Sequence, residues 1–241
     1  MARFLITVLM IFNLGVYGVF ADTITIAAGA GYKRMMEEVI KIYENKTKAK
    51  VYQVYGHMGQ VIMQAKASGV VSLIFGEHDF LEQSDIKFNS FHNIGKGILV
   101  IAYAKSVTLH NPEDLTKNCI VKIAIPDPKK AIYGKAAYEF LHNTGFYNRV
   151  KGKILLVGTA PQVSAYVMSE DVQAGFINLT DAVYLKDRIG GYIKPDMDKY
   201  EPINLAIGVI KGFENSPETS QFVDFMQNDP DVKNVIAKCG L

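Results

Sequence analysis

Five histidines, two cysteines and four glycine- or proline-rich turns are the residues whose types could carry chemistry. His57, His78, His92, His110 and His142 show no spacing typical of a zinc site. His57-Met58 offers a soft-metal pair, but adjacent side chains make poor partners on one ion. A turn histidine beside a packed methionine is the plainer reading, and no side chain is expected to ligate a metal. The motifs G-x-S-x-G, H-E-x-x-H, C-x-x-C and G-x-x-x-x-G-K-S/T do not occur, and no nucleophile–base pair can be identified. Enzyme activity is therefore not expected. Gly29-Ala30-Gly31 carries only two of the three glycines of a dinucleotide fingerprint, so no cofactor is expected either. What remains is backbone chemistry at Gly29 to Tyr32, Gly56 to Gly59, Pro126 to Gly134 and Gly158 to Pro161. Lys129-Lys130 either draws an anion towards these turns or is simply solvated.

Each turn follows a short β-rich run and precedes a segment of helical period. Strands are expected at 23–28, 51–55, 73–75, 97–104, 120–125, 154–157, 174–177 and 203–210. Tyr32, Met36, Val39, Ile40 and Tyr43 recur at helical spacing. Further helices are expected at about 61–68, 77–83 and 134–144, from Ala160, and after Ser216-Pro217 and Asp229-Pro230. Pro161 suits a first helical turn, where its missing N–H has no partner to lose. Strands alternating with helices of about ten residues imply an α/β fold with mostly parallel sheets. In such sheets ligands gather beyond the carboxyl ends of strands, where free N–H groups of helix starts converge.

The chain opens on Met1-Ala2-Arg3 and an apolar run from Phe4 to Phe20, with Val19-Phe20-Ala21 suited to a cut. This is the layout of a secretory signal peptide. A membrane anchor is the competing reading, but about 17 residues is short for a span, and Asn13, Gly15 and Gly18 interrupt it. Cleavage is expected after Ala21; removing 21 of the 241 residues leaves 220. No cysteine lies near the cut to carry a lipid. The formal charge of +2 falls to +1 without Arg3, which excludes bulk nucleic-acid binding. Cys119 and Cys239 are too few for a disulfide scaffold.

Ile24-Thr25-Ile26-Ala27-Ala28-Gly29-Ala30-Gly31, after such a leader, resembles the opening of periplasmic molybdate-binding proteins, and the similarity runs along almost the whole remaining chain. Tyr55-Gly56-His57-Met58-Gly59 stands where the family has an aromatic or small residue followed by G-S-S-G. The stretch from Asp127 to Ala136 resembles the N-P-x-x-A-P-Y-G-x-A segment of one branch. Ala174-Gly175-Phe176 followed by Tyr200-Glu201-Pro202-Ile203 matches that branch too. Four weak motifs in order, with the right separations, make a fairly specific resemblance.

The resemblance implies a two-lobed, type II periplasmic binding protein, each lobe a mainly parallel sheet flanked by helices. Residues 22–97 plus 205–241 would form lobe one and 98–204 lobe two, with crossings near Gly97 and 200–205. A monomer in the periplasm would pass a small oxyanion to an ABC permease in the inner membrane. The anion would be held by backbone N–H groups and hydroxyls, without a counter-cation. Carried over by position, the ligand-binding residues are Gly31, Met58, Tyr133, Ala160 and Asn178. Gly31 and Met58 replace the hydroxyl donors of the family, and some relatives carry a tyrosine where this chain has Asn178. The leading cargo is a tetrahedral oxyanion of the molybdate and tungstate class. With both donors replaced, sulfate or phosphate is an alternative, and the space expected at Gly31 adds a larger ligand such as a phosphate ester or a carboxylate, for uptake or sensing. Serine at both positions is expected to tighten molybdate binding. A bridge between Cys119 and Cys239 would restrain lobe closure, so both thiols are expected to be free.

Overall fold

The computed structural model describes residues 23–241. The expected signal peptide, 1–21, lies outside the described residues. The strands β1 (Thr23–Gly29), β2 (Lys50–Gly56), β3 (Leu73–Glu77), β4 (Phe88–Gly97) and β10 (Ile203–Ile210) form one sheet, ordered β2-β1-β3-β10-β4. The strands β5 (Leu99–Tyr103), β6 (Ile123–Pro126), β7 (Ile154–Val157), β8 (Ala174–Asn178) and β9 (Gly191–Ile193) form the other, ordered β7-β6-β8-β5-β9. Both share one plan: three neighbouring parallel strands, then one antiparallel strand, β10 or β5, set before the last.

The helices are α1 (Lys33–Thr47), α2 (Met58–Ser68), α3 (His78–Glu82), α4 (Ile132–Asn143), α5 (Tyr147–Val150), α6 (Ala160–Met168), α7 (Leu179–Leu185), α8 (Pro217–Asn228) and α9 (Pro230–Lys238). The first of these buries Met35, Met36, Val39, Ile40 and Tyr43, the stripe its sequence period specifies, and stops where Lys48 turns left-handed at φ 64°. Ser216 and Asp229 accept from first-turn amides of α8 and α9, and Pro217 and Pro230 occupy the first positions. A continuous apolar cluster joins the two sheets, with Met36 and Phe75 on one side, Phe140 and Phe176 on the other, and Tyr32 and Tyr133 included. Full burial of a side chain such as Phe75 contributes about 1.5–3 kcal/mol.

Register places the turns. Gly29 is the Cα partner of Gly56, so β1 and β2 end level and release their following helices side by side. In the second sheet Pro126 pairs with Val157, and β6 and β7 do the same. The chain leaves the first sheet after Gly97, enters the second at Leu99, leaves it after Ile193 and returns at Ile203. Gly97 is the Cα partner of Ile203, so the two passages run next to each other.

Some elements differ from the sequence expectations. The expected strand at 97–104 is two strands meeting at Ile98, and β4 and α7 were not expected. The β4 sequence, Phe-Asn-Ser-Phe-His-Asn-Ile-Gly-Lys-Gly, has two glycines and two asparagines, and its ladder comes from β10 rather than from local propensity. Helix α7 begins directly after Asn178, with no glycine or proline to mark the change from strand to helix.

Candidate functional site

The level strand ends bring four helical starts to one cavity of about 40 Å³. From the first lobe come the 3-10 turn Ala30–Tyr32 ahead of α1, and the start of α2 at His57-Met58. From the second come the start of α4, Ala131 to Tyr133, and that of α6, Thr159-Ala160. Side chains cap two of these starts and leave particular amides for the cavity. His57 Nδ1 accepts from Gln60 N at 3.1 Å. Thr159 Oγ1 accepts from Gln162 N at 3.3 Å, while Gln162 Oε1 takes the amides of Gly158 and Thr159 at 2.7 and 3.1 Å. The amides of Met58, Ile132, Tyr133 and Ala160 sit at helix positions that lack an intrahelical acceptor. Aligned peptide dipoles make the same place favourable for negative charge.

Gly31, Met58, Tyr133 and Ala160 all line this cavity. Asn178 does not. It is fully buried behind Gly31, with Nδ2 donating to the Gly31 carbonyl at 2.8 Å and Oδ1 lacking a protein partner. Its amide also occupies the space that the glycine was expected to open: a Cβ on Gly31 would lie 2.8 Å from Asn178 Oδ1. Gly31 is not in the left-handed region, so the neighbour rather than the backbone excludes a side chain. Met58 lies against Gly76, where an added Cβ would meet its Cε at 2.7 Å.

Two further wall residues stand outside those carried over by position from the family. Tyr32 reaches across the cavity, and its hydroxyl stands 2.5 Å from that of Tyr133. Burial is the largest cause raising the pKa of both phenols, so they keep their protons at neutral pH. Glu77 is the one carboxylate on the wall. Both its oxygens are committed to capping α3, accepting from Asp79 N at 3.1 Å and Phe80 N at 2.6 Å. Burial raises the Glu77 pKa, against the lowering effect of those amides. Its only sequence signal was the position of Gly76-Glu77 between a strand and a short helix.

No lysine or arginine lines the cavity. Lys129 and Lys130 are exposed, and Lys130 pairs with Asp127 at 3.3 Å. Among the described residues a single trio of potential metal donors occurs: His78, Asp79 and Glu82, on the outer side of α3. Beside the cavity the lobes are joined by an ion pair between Arg34 of α1 and Asp181 of α7. Asp181 also accepts from Ser164 Oγ, and Tyr184 donates to Glu38 at 2.6 Å.

Residues 24–241 match the family model described as bacterial extracellular solute-binding protein, and the chain belongs to that family. It is 27% identical over 228 residues to a Haemophilus influenzae protein described only as a binding protein, with 91% of each chain covered. The molybdate-binding protein ModA of Azotobacter vinelandii is 24% identical over 229 residues, 91% of this chain and 90% of that one. A solved structure of the periplasmic molybdate-binding protein of Azotobacter vinelandii superposes with a TM-score of 0.81 at 21% identity, covering 90% of this chain and 97% of the other. The two-lobed α/β fold and the resemblance to periplasmic molybdate-binding proteins are thereby established, and the chain is a solute-binding protein.

Proposed function

We propose that the protein is exported, with Asp22 as its first residue, and acts as a periplasmic monomer that binds a tetrahedral oxyanion for an ABC permease. Molybdate and tungstate are the leading cargoes. One observation carries this reading: helical starts from both lobes surround a cavity whose wall has no lysine or arginine. Such a wall suits an anion recognised through N–H groups and hydroxyls. The cavity, about 40 Å³, holds roughly three waters at 10–15 Å³ each. Gly31, Met58, Tyr133 and Ala160 would supply N–H donors, and Tyr133 a hydroxyl. Asn178 would act from behind, by holding Gly31. The lobes, 22–97 with 205–241 and 98–204, would close about the adjacent passages at Gly97 and 200–205.

The second reading is a different small anion: sulfate, phosphate, a phosphate ester or a carboxylate. The observation that favours it is the absence of a side-chain hydroxyl at both Gly31 and Met58. Each lost donor to a charged acceptor costs about 1.5–3 kcal/mol. A thermal-shift and calorimetric series with molybdate, tungstate, sulfate, phosphate and small carboxylates separates the readings. Molybdate and tungstate are expected to raise Tm most. Sulfate, phosphate or a carboxylate that binds while both metal oxyanions fail would overturn the leading reading.

A further inference from the structure

Tyr32 and Tyr133 belong to opposite lobes and line one cavity, and their hydroxyls stand 2.5 Å apart. Both side chains are 4% exposed. Two phenols in contact hold two protons, and only one of these can lie between the oxygens. The other needs a different acceptor. Among the described residues neither hydroxyl has a second hydrogen-bond partner. Gly97 closes one side: an added Cβ there would collide with Tyr133 Oη and lie 3.2 Å from Tyr32 Oη. Phe75 closes another, edge-on to the Tyr32 ring at 5.0 Å. Both residues line the cavity, where a bound anion would supply that acceptor.

We propose that Tyr32 is a cargo-positioning residue, donating its proton to Tyr133 Oη so that Tyr133 turns its own proton onto an oxygen of the bound anion. The inference rests on the cavity being an anion site, as argued above. It gives the chain a lobe-one hydroxyl in place of those missing at Gly31 and Met58, delivered at one remove from the next residue along. The reverse order, with Tyr133 donating to Tyr32, would turn the second proton out from Tyr32 instead, and Tyr133→Phe would then lose less molybdate affinity than Tyr32→Phe. The direction matters for selectivity. An anion offering only acceptor oxygens, such as molybdate, needs the proton that Tyr133 presents. A protonated oxyanion, such as hydrogen phosphate, can instead donate to Tyr133 Oη once Tyr32 no longer fills that lone pair.

The test is calorimetry with sodium molybdate and with inorganic phosphate at pH 7, on the full chain and on Tyr32→Phe, Tyr133→Phe and the double variant. Tyr32→Phe keeps the ring against Phe75, and circular dichroism checks its fold. It is expected to weaken molybdate binding about threefold to tenfold, with a smaller loss for phosphate read by competition. The double variant is expected to bind molybdate no more weakly than Tyr133→Phe alone, because Tyr32 acts through Tyr133. Equal losses for the two anions would mean that Tyr32 only packs or helps closure, and would overturn the inference. Unchanged molybdate affinity in Tyr32→Phe, or losses that multiply in the double variant, would overturn it too. A wild-type chain that binds none of the oxyanions overturns the cavity assignment instead, a result distinct from all of these.

Discussion

Asn178 and Gly31 lock together across the two lobes: the Asn178 amide donates to the Gly31 carbonyl at 2.8 Å and fills the volume a side chain at position 31 would need. Serine at position 31, expected from the family pattern to add a donor, meets this amide first. Gly31→Ser is therefore expected to weaken anion binding, with overpacking in a tight site costing about 1–3 kcal/mol. Adding Asn178→Ala should recover part of the loss. Tighter binding by the single variant, measured by calorimetry, would contradict this account.

The Arg34–Asp181 pair should hold the closed arrangement. The Asp181 side chain is 2% exposed and sits in lobe two, whereas Arg34 is 39% exposed and sits in lobe one. Arg34→Met leaves a buried carboxylate without its cation, a cost of about 1–3 kcal/mol after allowance for the exposed guanidinium. Scattering should then give a larger radius of gyration than in the wild type. Burial already raises the Asp181 pKa, against Ser164 and Arg34, which lower it. A raised carboxyl is penalised above its folded pKa and relieved as pH falls. The Tm deficit of Arg34→Met should shrink on acidification, and a deficit that grows instead would rule out this role.

Asp114 sets an acid limb of stability in lobe two. Its carboxylate accepts from Lys117 and from the amides of His110 and Asn111, which hold the pKa at about 2 against an ordinary 3.8. A depressed carboxyl stabilises fully above its unfolded pKa and loses that contribution as pH falls towards its folded one. Thermal melting between pH 5 and 2, on the order of the window these values set, should be flatter in Asp114→Asn. Parallel curves for the variant and the wild type would refute it.

The two thiols should differ sharply. Cys119 is exposed, while Cys239 is buried with Sγ 3.7 Å from Tyr184 Oη, and both are free. Burial raises the Cys239 pKa, which further suppresses thiolate. A thiol reagent is expected to label one site on the native protein and two after unfolding. Two fast sites on the native protein would exclude the packing of α9 described here.

The elements that build the site were legible where local chemistry specifies them. Gly29 to Tyr32, Gly56 to Met58 and the Pro161 helix start each announce a strand turning into a helix; register then levels the turns within each sheet, and the packing of the two lobes brings Gly31, Met58, Tyr133 and Ala160 together. Position matching could not show what stands beside a residue. Asn178 matched a ligand position, yet it reaches Gly31 from 147 residues away and seals it from behind. The Tyr32–Tyr133 contact, 101 residues apart, likewise leaves no trace in local pattern. Strand β4 escaped because its partner β10 arrives more than a hundred residues later.

That late partner governs the order of assembly. β10 bonds to β3 on one side and β4 on the other, so until residues 203–210 are made both strands keep an open edge. All five strands of lobe two lie between Leu99 and Ile193, so that sheet has every strand available earlier. On a growing chain the second lobe should therefore mature first, while the opening strands wait for their missing neighbour. A product cut short before residue 203 would carry every turn that lines the cavity and still lack the strand that joins β3 to β4. Such a product is expected not to bind the cargo.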